Sequence, residues 1–235
     1  MDTSGRLPNG LPWTRFQLPN GLTAYVIENP SAPVFTYQTW FKVGSKDEKL
    51  DPRLDATGLA HLFEHMMFRG TSRYPDGQFD EVLTRNGVTG ENATTWLDRT
   101  NYFESLPSEK LELVMELESD RMANLVVDET LLDTERSAVL GEYRMGLDDP
   151  DSVANDHLYA TAFDTHPYRY TTIGTEGEIQ GFTAENARYF YQKYYAPNNA
   201  SIVVAGDFDA ASVRDTVAKY FGWIPKASVP AAPAA

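Results

Sequence analysis

The chain has no cysteine, so it can form neither disulfides nor thiolate metal ligands. That absence is neutral about compartment. Histidine is scarce as well, with four in 235 residues. Any metal site must therefore be built from imidazole and carboxylate. Basic residues are outnumbered, 20 against 34 acidic, for a net charge of −14. Phosphate backbones would be repelled, which disfavours nucleic-acid binding. No apolar run approaches the roughly 18 residues of a membrane helix, so no membrane span is expected. The start, residues 1–13, lacks a charged segment followed by an apolar one, and no signal peptide is expected there. Hydrophobic residues make up 42% of the chain, enough for a sizeable core in one large domain or two small ones.

Two of the four histidines stand in one short run, His61-Leu62-Phe63-Glu64-His65. On a helix, residues four apart lie one turn apart along the axis and roughly 40° apart around it. Both imidazoles can then reach one small cation, with Glu64 beside it. Zinc favours such ligands, and a catalytic site needs three of them plus an open position. The order reverses the His-Glu-x-x-His helix and defines the inverted type of zinc motif.

The third ligand is expected in a second acidic helix. Glu135 and Glu142 are seven residues apart, so they share a helix face within roughly 20°. One could bind metal while the other supports it, and spacing alone does not say which. The surrounding segment 108–151 holds 13 acidic and 4 basic residues. Solvated helix backs explain most of these charges, and an acidic wall drawing basic peptides is the sharper alternative.

The run Gly58-Leu59-Ala60-His61-Leu62-Phe63-Glu64-His65-Met66-Met67-Phe68-Arg69-Gly70-Thr71 resembles the pitrilysin/insulinase family of zinc peptidases, which includes the mitochondrial processing peptidases. The likeness extends over about residues 14–225. Leu18-Pro19-Asn20-Gly21-Leu22 is similar to the family's first hairpin. Asn92-Ala93-Thr94-Thr95 and Asp98-Arg99-Thr100-Asn101-Tyr102 resemble its substrate-edge strand and the next one. His166-Pro167-Tyr168 with Thr172-Ile173-Gly174 matches the loop after the zinc helices. Tyr195-Ala196-Pro197-Asn198-Asn199 and Val203-Val204-Ala205-Gly206-Asp207 match the closing strand. The resemblance implies that Glu142, 77 positions past His65, is the third ligand of one Zn2+ per chain. It implies that Glu135 supports catalysis without binding zinc.

Strands in antiparallel groups with long helices between them predict an α+β sandwich. The resemblance implies the same fold, a mixed, mainly antiparallel sheet covered by helices on one face. Residues 1–13 read as a loose arm, 14–225 as the zinc-binding peptidase domain, and 226–235 as a Pro/Ala linker or tail. Strands are expected at Thr14–Leu18, Leu22–Glu28, Val34–Val43, Val88–Trp96, Thr100–Leu106 and Ser201–Ala205. The zinc helix is expected at Thr57–Phe68, capped within Asp55-Ala56-Thr57. Further helices are expected at 76–86, from Ser108 with Leu111, Val114, Met115, Leu117 and Met122 buried, at 128–147, 151–163, 183–194 and 210–221. Phe63, Phe68 and Trp96 read as core, and His157 and His166 as structural.

The implied chemistry is hydrolysis of peptide bonds in unfolded peptides. His61 and His65 would bind as neutral rings, and Glu64 would serve as general base rather than ligand. The residues leave simpler pairings open, Glu64 with Arg69 and Glu142 with Arg144 or Arg136. An extended peptide could add to the strand carrying Asn92, Ala93 and Thr94, though a polar edge defended against aggregation has the same look. Family subunits hold two related halves, the second lending an Arg-Tyr pair that no segment here matches. Either the chain is a fragment of such a subunit, or a separate second half or subunit bearing that pair is its expected partner. A non-catalytic interaction subunit is the alternative class, and a zinc enzyme acting on a small molecule a third. Bacterial relatives with an N-terminal Pro-rich arm point to the periplasm.

Overall fold

The computed structural model of the protein describes residues 2–229. Residues 230–235 of the expected Pro/Ala tail lie outside the described residues. The chain opens with three strands, β1 (Thr3–Arg6), β2 (Pro12–Gln17) and β3 (Thr23–Glu28), followed by β4 (Val34–Phe41). Helices α1 (Leu59–Met66) and α2 (Gln78–Arg85) come next, then the hairpin β5 (Thr89–Thr95) and β6 (Thr100–Pro107). Five helices follow: α3 (Leu111–Asn124), α4 (Glu129–Leu147), α5 (Pro150–Ala162), α6 (Glu176–Gly181) and α7 (Ala184–Tyr194). Strand β7 (Ala200–Gly206) and helix α8 (Ala210–Phe221) end the described order.

The seven strands form one sheet in the order β1-β2-β3-β7-β4-β6-β5. Only β3 and β7 run parallel; every other pair is antiparallel. Alternation along β4 shows why one face is sealed. Phe35, Tyr37, Thr39 and Phe41 are buried, while Thr36, Gln38 and Trp40 on the other face are half-buried. The buried face meets Ala200, Ile202 and Val204 of β7 and Ala24 and Val26 of β3 in one core under the helices. Fully burying one such side chain contributes about 1.5–3 kcal/mol, so a one-residue slip in register would forfeit many of these terms at once.

Helix α3 presents Leu111, Val114, Met115, Leu117 and Met122 to this core, as its sequence pattern implies. It also buries an ion pair, Glu118 with Arg121 at 2.8 Å. The Pro-Asn-Gly hairpin joins β2 to β3, and Asn20 reaches across it to hold the end of α8, donating to Phe221 O at 2.8 Å and Ile224 O at 3.0 Å.

Three features differ from the sequence pattern. The N-terminal dozen residues are not loose: Thr3–Arg6 pairs with Pro12–Arg15 as an edge strand. Its four residues are all exposed, so no hydrophobic alternation marked it. Helix α6 was also unmarked, being one short polar turn capped by Thr175. Trp96 is not core. It lies 48% exposed at the end of β5, because the turn at Leu97-Asp98 begins there and carries the ring off the sheet. Phe63 is buried as expected, whereas Phe68 is half-buried and borders the cleft described next.

Candidate metal centre

Helix α1 has an apolar side and a polar side, and packing decides which way each points. Leu59, Ala60, Leu62, Phe63 and Met66 are buried. Phe63 stacks on Tyr191 with ring centres 5.6 Å apart and meets Tyr195 at 4.6 Å. This fixes the roll of the helix and turns His61 and His65 outward toward α4. Their rings stand edge to face, 4.9 Å apart. Helix α4 starts at the N-cap Asp128, whose carboxylate accepts from Leu131 N. It buries Leu132 and Val139, which aims Glu135 and Glu142 at α1.

One oxygen of Glu142 lies 3.5 Å from His61 Nε2, and the other lies 3.7 Å from His65 Nε2. Donor atoms of these three residues all lie within 4.8 Å of one another. A tetrahedral zinc with bonds of about 2.0–2.1 Å places its donors about 3.3 Å apart, so the set fits zinc in spacing and in donor type. Glu135 stands on the other side of His65, with Oε2 3.1 Å from Nδ1. With Nδ1–H donating to that carboxylate, the Nε2 lone pair is left facing Glu142 and His61. Arg69 pairs with the same carboxylate through its guanidinium.

Electrostatics follow from burial and neighbours. Burial, helped by the neighbouring His65, lowers the pKa of His61 to about 4. Burial also pulls on His65, but the hydrogen bond to Glu135 and the charges of Glu142, Glu135 and Glu64 outweigh it and raise its pKa. Burial pushes the Glu64 carboxyl up, against a hydrogen bond from the Thr95 hydroxyl. Burial acts on Glu135 the same way, yet His65 and Arg69 hold it below the usual carboxylate range.

The simpler pairings are not formed. Arg69 bonds Glu135 rather than Glu64, Arg144 reaches Glu176 at 3.1 Å, and Arg136 pairs with Asp133. Of the acidic segment, Glu118, Asp120 and Glu135 are buried, and Asp149 caps α5. His166 Nδ1 accepts from Tyr168 N at 3.3 Å in a turn, a structural use.

Strand β5 is the sheet edge nearest the cluster. His61, Glu64, His65, Phe68, Arg69 and Asn92 line one cleft with Glu135 and Glu142. Ala93 and Thr94 line an adjoining groove with His61, Glu64, Thr95, Thr172 and Ile173. Asn92 is exposed, and its Oδ1 accepts from Ala93 N at 2.8 Å. Ala93 is buried, and Thr94 Oγ1 donates to Asn101 at 2.7 Å. A cavity of about 270 Å³ opens beyond Glu142, walled by Trp96, Tyr143, Tyr159, Tyr170 and Ile173. The pattern of the sequence did not reveal the Thr95 bond to Glu64, the Arg69 pairing with Glu135 or this aromatic wall. Each of these contacts is made through tertiary packing.

A family model described as insulinase (peptidase family M16) matches residues 23–176, and the chain belongs to that family. A second, described as peptidase M16 inactive domain, matches residues 181–235. The zinc protease PqqE of Helicobacter pylori is 32% identical over 207 residues, 87% of this chain and 45% of that protein. A probable mitochondrial-processing peptidase subunit beta of Arabidopsis thaliana is 29% identical over 87% of this chain and 38% of that protein. The crystal structure of a protease from Helicobacter pylori superposes with a TM-score of 0.86 at 30% identity, covering 94% of this chain and 52% of that one. The chain spans about half the length of the curated relatives it matches. Among the described residues no helix is long and apolar enough to cross a membrane.

Proposed function

We propose that this chain is the catalytic half of a zinc endopeptidase that hydrolyses peptide bonds in unfolded peptides. One observation carries the proposal: His61, His65 and Glu142 converge within 4.8 Å, with Glu64 lining the same cleft beside a sheet edge. His61, His65 and Glu142 would hold one Zn2+, and Glu135 would orient His65 from behind. Zinc held there would supply Lewis-acid activation of the attacking water and of the substrate carbonyl.

The residues then divide the remaining work. Glu64 takes the proton of the attacking water and passes it to the leaving amine. The Thr95 hydroxyl holds one Glu64 oxygen and leaves the other for that exchange. Strand β5 takes the peptide as an added strand through its backbone, which needs no particular sequence. Ala93 leaves room on its face of the strand, and Asn92 and Thr94 share the other face, with Asn92 assigned to hold a peptide carbonyl. Naming of a relative as a zinc protease supports the activity, and the family resemblance supports a partner. We assign that partner as a second family half or subunit bearing an Arg-Tyr pair. The periplasm is the proposed compartment, to be checked by fractionation.

The test is Glu64→Gln against wild type, with zinc content and peptide cleavage measured together. Loss of cleavage with zinc retained supports the catalytic half. Peptide or partner binding with no cleavage in either protein would replace it with an interaction subunit.

A further inference from the structure

Helix α1 starts without a capping side chain. Its N-cap is Gly58 in the left-handed region, φ 96°, and not the expected Asp55-Ala56-Thr57. The first N–H groups of a helix have no acceptor within the helix, and burying them unpaired is costly. Here the acceptors come from Glu48, ten residues earlier. Its Oε2 accepts from Gly58 N at 2.9 Å and its Oε1 from Ala60 N at 2.6 Å. Glu48 is fully buried. Burial raises its carboxyl to about 8, with Asp47 and Glu178 adding to the rise, and the N–H groups of Ala60 and Gly58 pull against it.

The same end of α1 is clamped from the opposite side. A Cβ on Gly58 would fall 2.5 Å from Ile173 O, and one on Gly174 would fall 2.3 Å from Thr57 O. The two backbones therefore touch, and only glycine fits at either place. Thr57 bonds Glu178, which Lys49 holds at 2.9 Å. His61 follows Ala60 directly, and His65 lies one turn further on. Ile173, on the other side of the clamp, lines the groove with His61 and Glu64.

We infer that Glu48 is a positioning residue for the metal centre. It touches none of the three donors, and it sets the height and roll of α1 at which both imidazoles meet Glu142. This rests on the metal-centre assignment above. A cap with no such role would change overall stability alone.

The test uses the full 235-residue chain and zinc alone as probe. Zinc affinity is measured by chelator competition in wild type, Glu48→Gln, Glu48→Asp and Val213→Ala, and urea unfolding of the metal-free proteins runs alongside. Val213 is buried in α8, which packs on α3 and β3, so its truncation lowers stability away from α1. Glu48→Gln cannot accept both N–H groups, and Glu48→Asp cannot span them. Each is expected to lose about tenfold or more in zinc affinity, the effect of disturbing groups that orient ligands. Cobalt bound in place of zinc should show a shifted absorption band in the Glu48 variants only. Val213→Ala should keep wild-type affinity. Where Glu48→Gln does not fold without metal, Glu48→Asp carries the comparison. Wild-type affinity in the Glu48 variants, or equal loss in Val213→Ala at matched stability, overturns the inference. A wild-type chain that binds no zinc instead overturns the metal centre itself.

Discussion

Replacing each of the two acidic residues of α4 separates ligand from support. Glu142 presents its two oxygens to the Nε2 atoms of His61 and His65, at 3.5 Å and 3.7 Å. Glu135 meets His65 on Nδ1, the far side of the same ring, at 3.1 Å. Glu142→Gln therefore replaces an anionic donor with a weak amide oxygen, whereas Glu135→Gln removes only the charge that orients one. Loss of an orienting partner typically costs 10–100-fold in metal affinity, about 1.4–2.7 kcal/mol. Loss of one of three protein ligands should cost more than that. Glu135→Gln carries a second penalty that Glu142→Gln escapes. Its carboxylate is buried and paired with Arg69, so an amide there leaves a partly buried guanidinium short of an acceptor, at about 1–3 kcal/mol of folding stability. Glu142 has a 41% exposed side chain, and its replacement should leave metal-free stability within about 0.5 kcal/mol. Chelator competition and urea unfolding on the two variants give four numbers. Equal zinc affinities, or greater loss in Glu135→Gln, would refute the division of roles.

Other outcomes are expected as well. Glu64→Gln should retain its zinc and lose about 10²–10⁴ of peptide cleavage, measured with a fluorogenic peptide. The isolated chain should cleave weakly and gain rate when the second half is supplied; full-rate saturable cleavage alone would contradict the need for a partner. Glu91 on β5 should make the fold pH-sensitive. Burial, then repulsion from Asp80, raises its pKa from 4.5 to about 7. The folded chain thus binds the extra proton between these values, and stability present below about 4.5 is lost as pH rises through about 7. Glu91→Gln should flatten that fall in urea-unfolding midpoints, and an unchanged slope would show that Glu91 is not its source.

The sequence revealed what obeys short periods. The four-residue step from His61 to His65 and the seven-residue step from Glu135 to Glu142 are helical spacings, and each pair does share a face of its helix. Alternation in β4 and the apolar run of β7 likewise marked the central strands. What escaped was set by contacts between distant segments. Glu48 caps α1 from a loop whose own pattern says nothing, because the local cap is a glycine. Thr95 reaches Glu64 across the β5–α1 interface, 31 residues away in sequence. Trp96 has the composition of a core residue, yet the turn after β5 carries it outward. The exposed strand β1 has no apolar face to reveal it, and its backbone pairs with β2.

Zinc per chain, measured by elemental analysis after mild dialysis in wild type and in His65→Ala, tests the central assignment most directly. One zinc in wild type and none in the variant is the predicted result. No zinc in either protein, or equal zinc in both, would contradict a centre built from His61, His65 and Glu142.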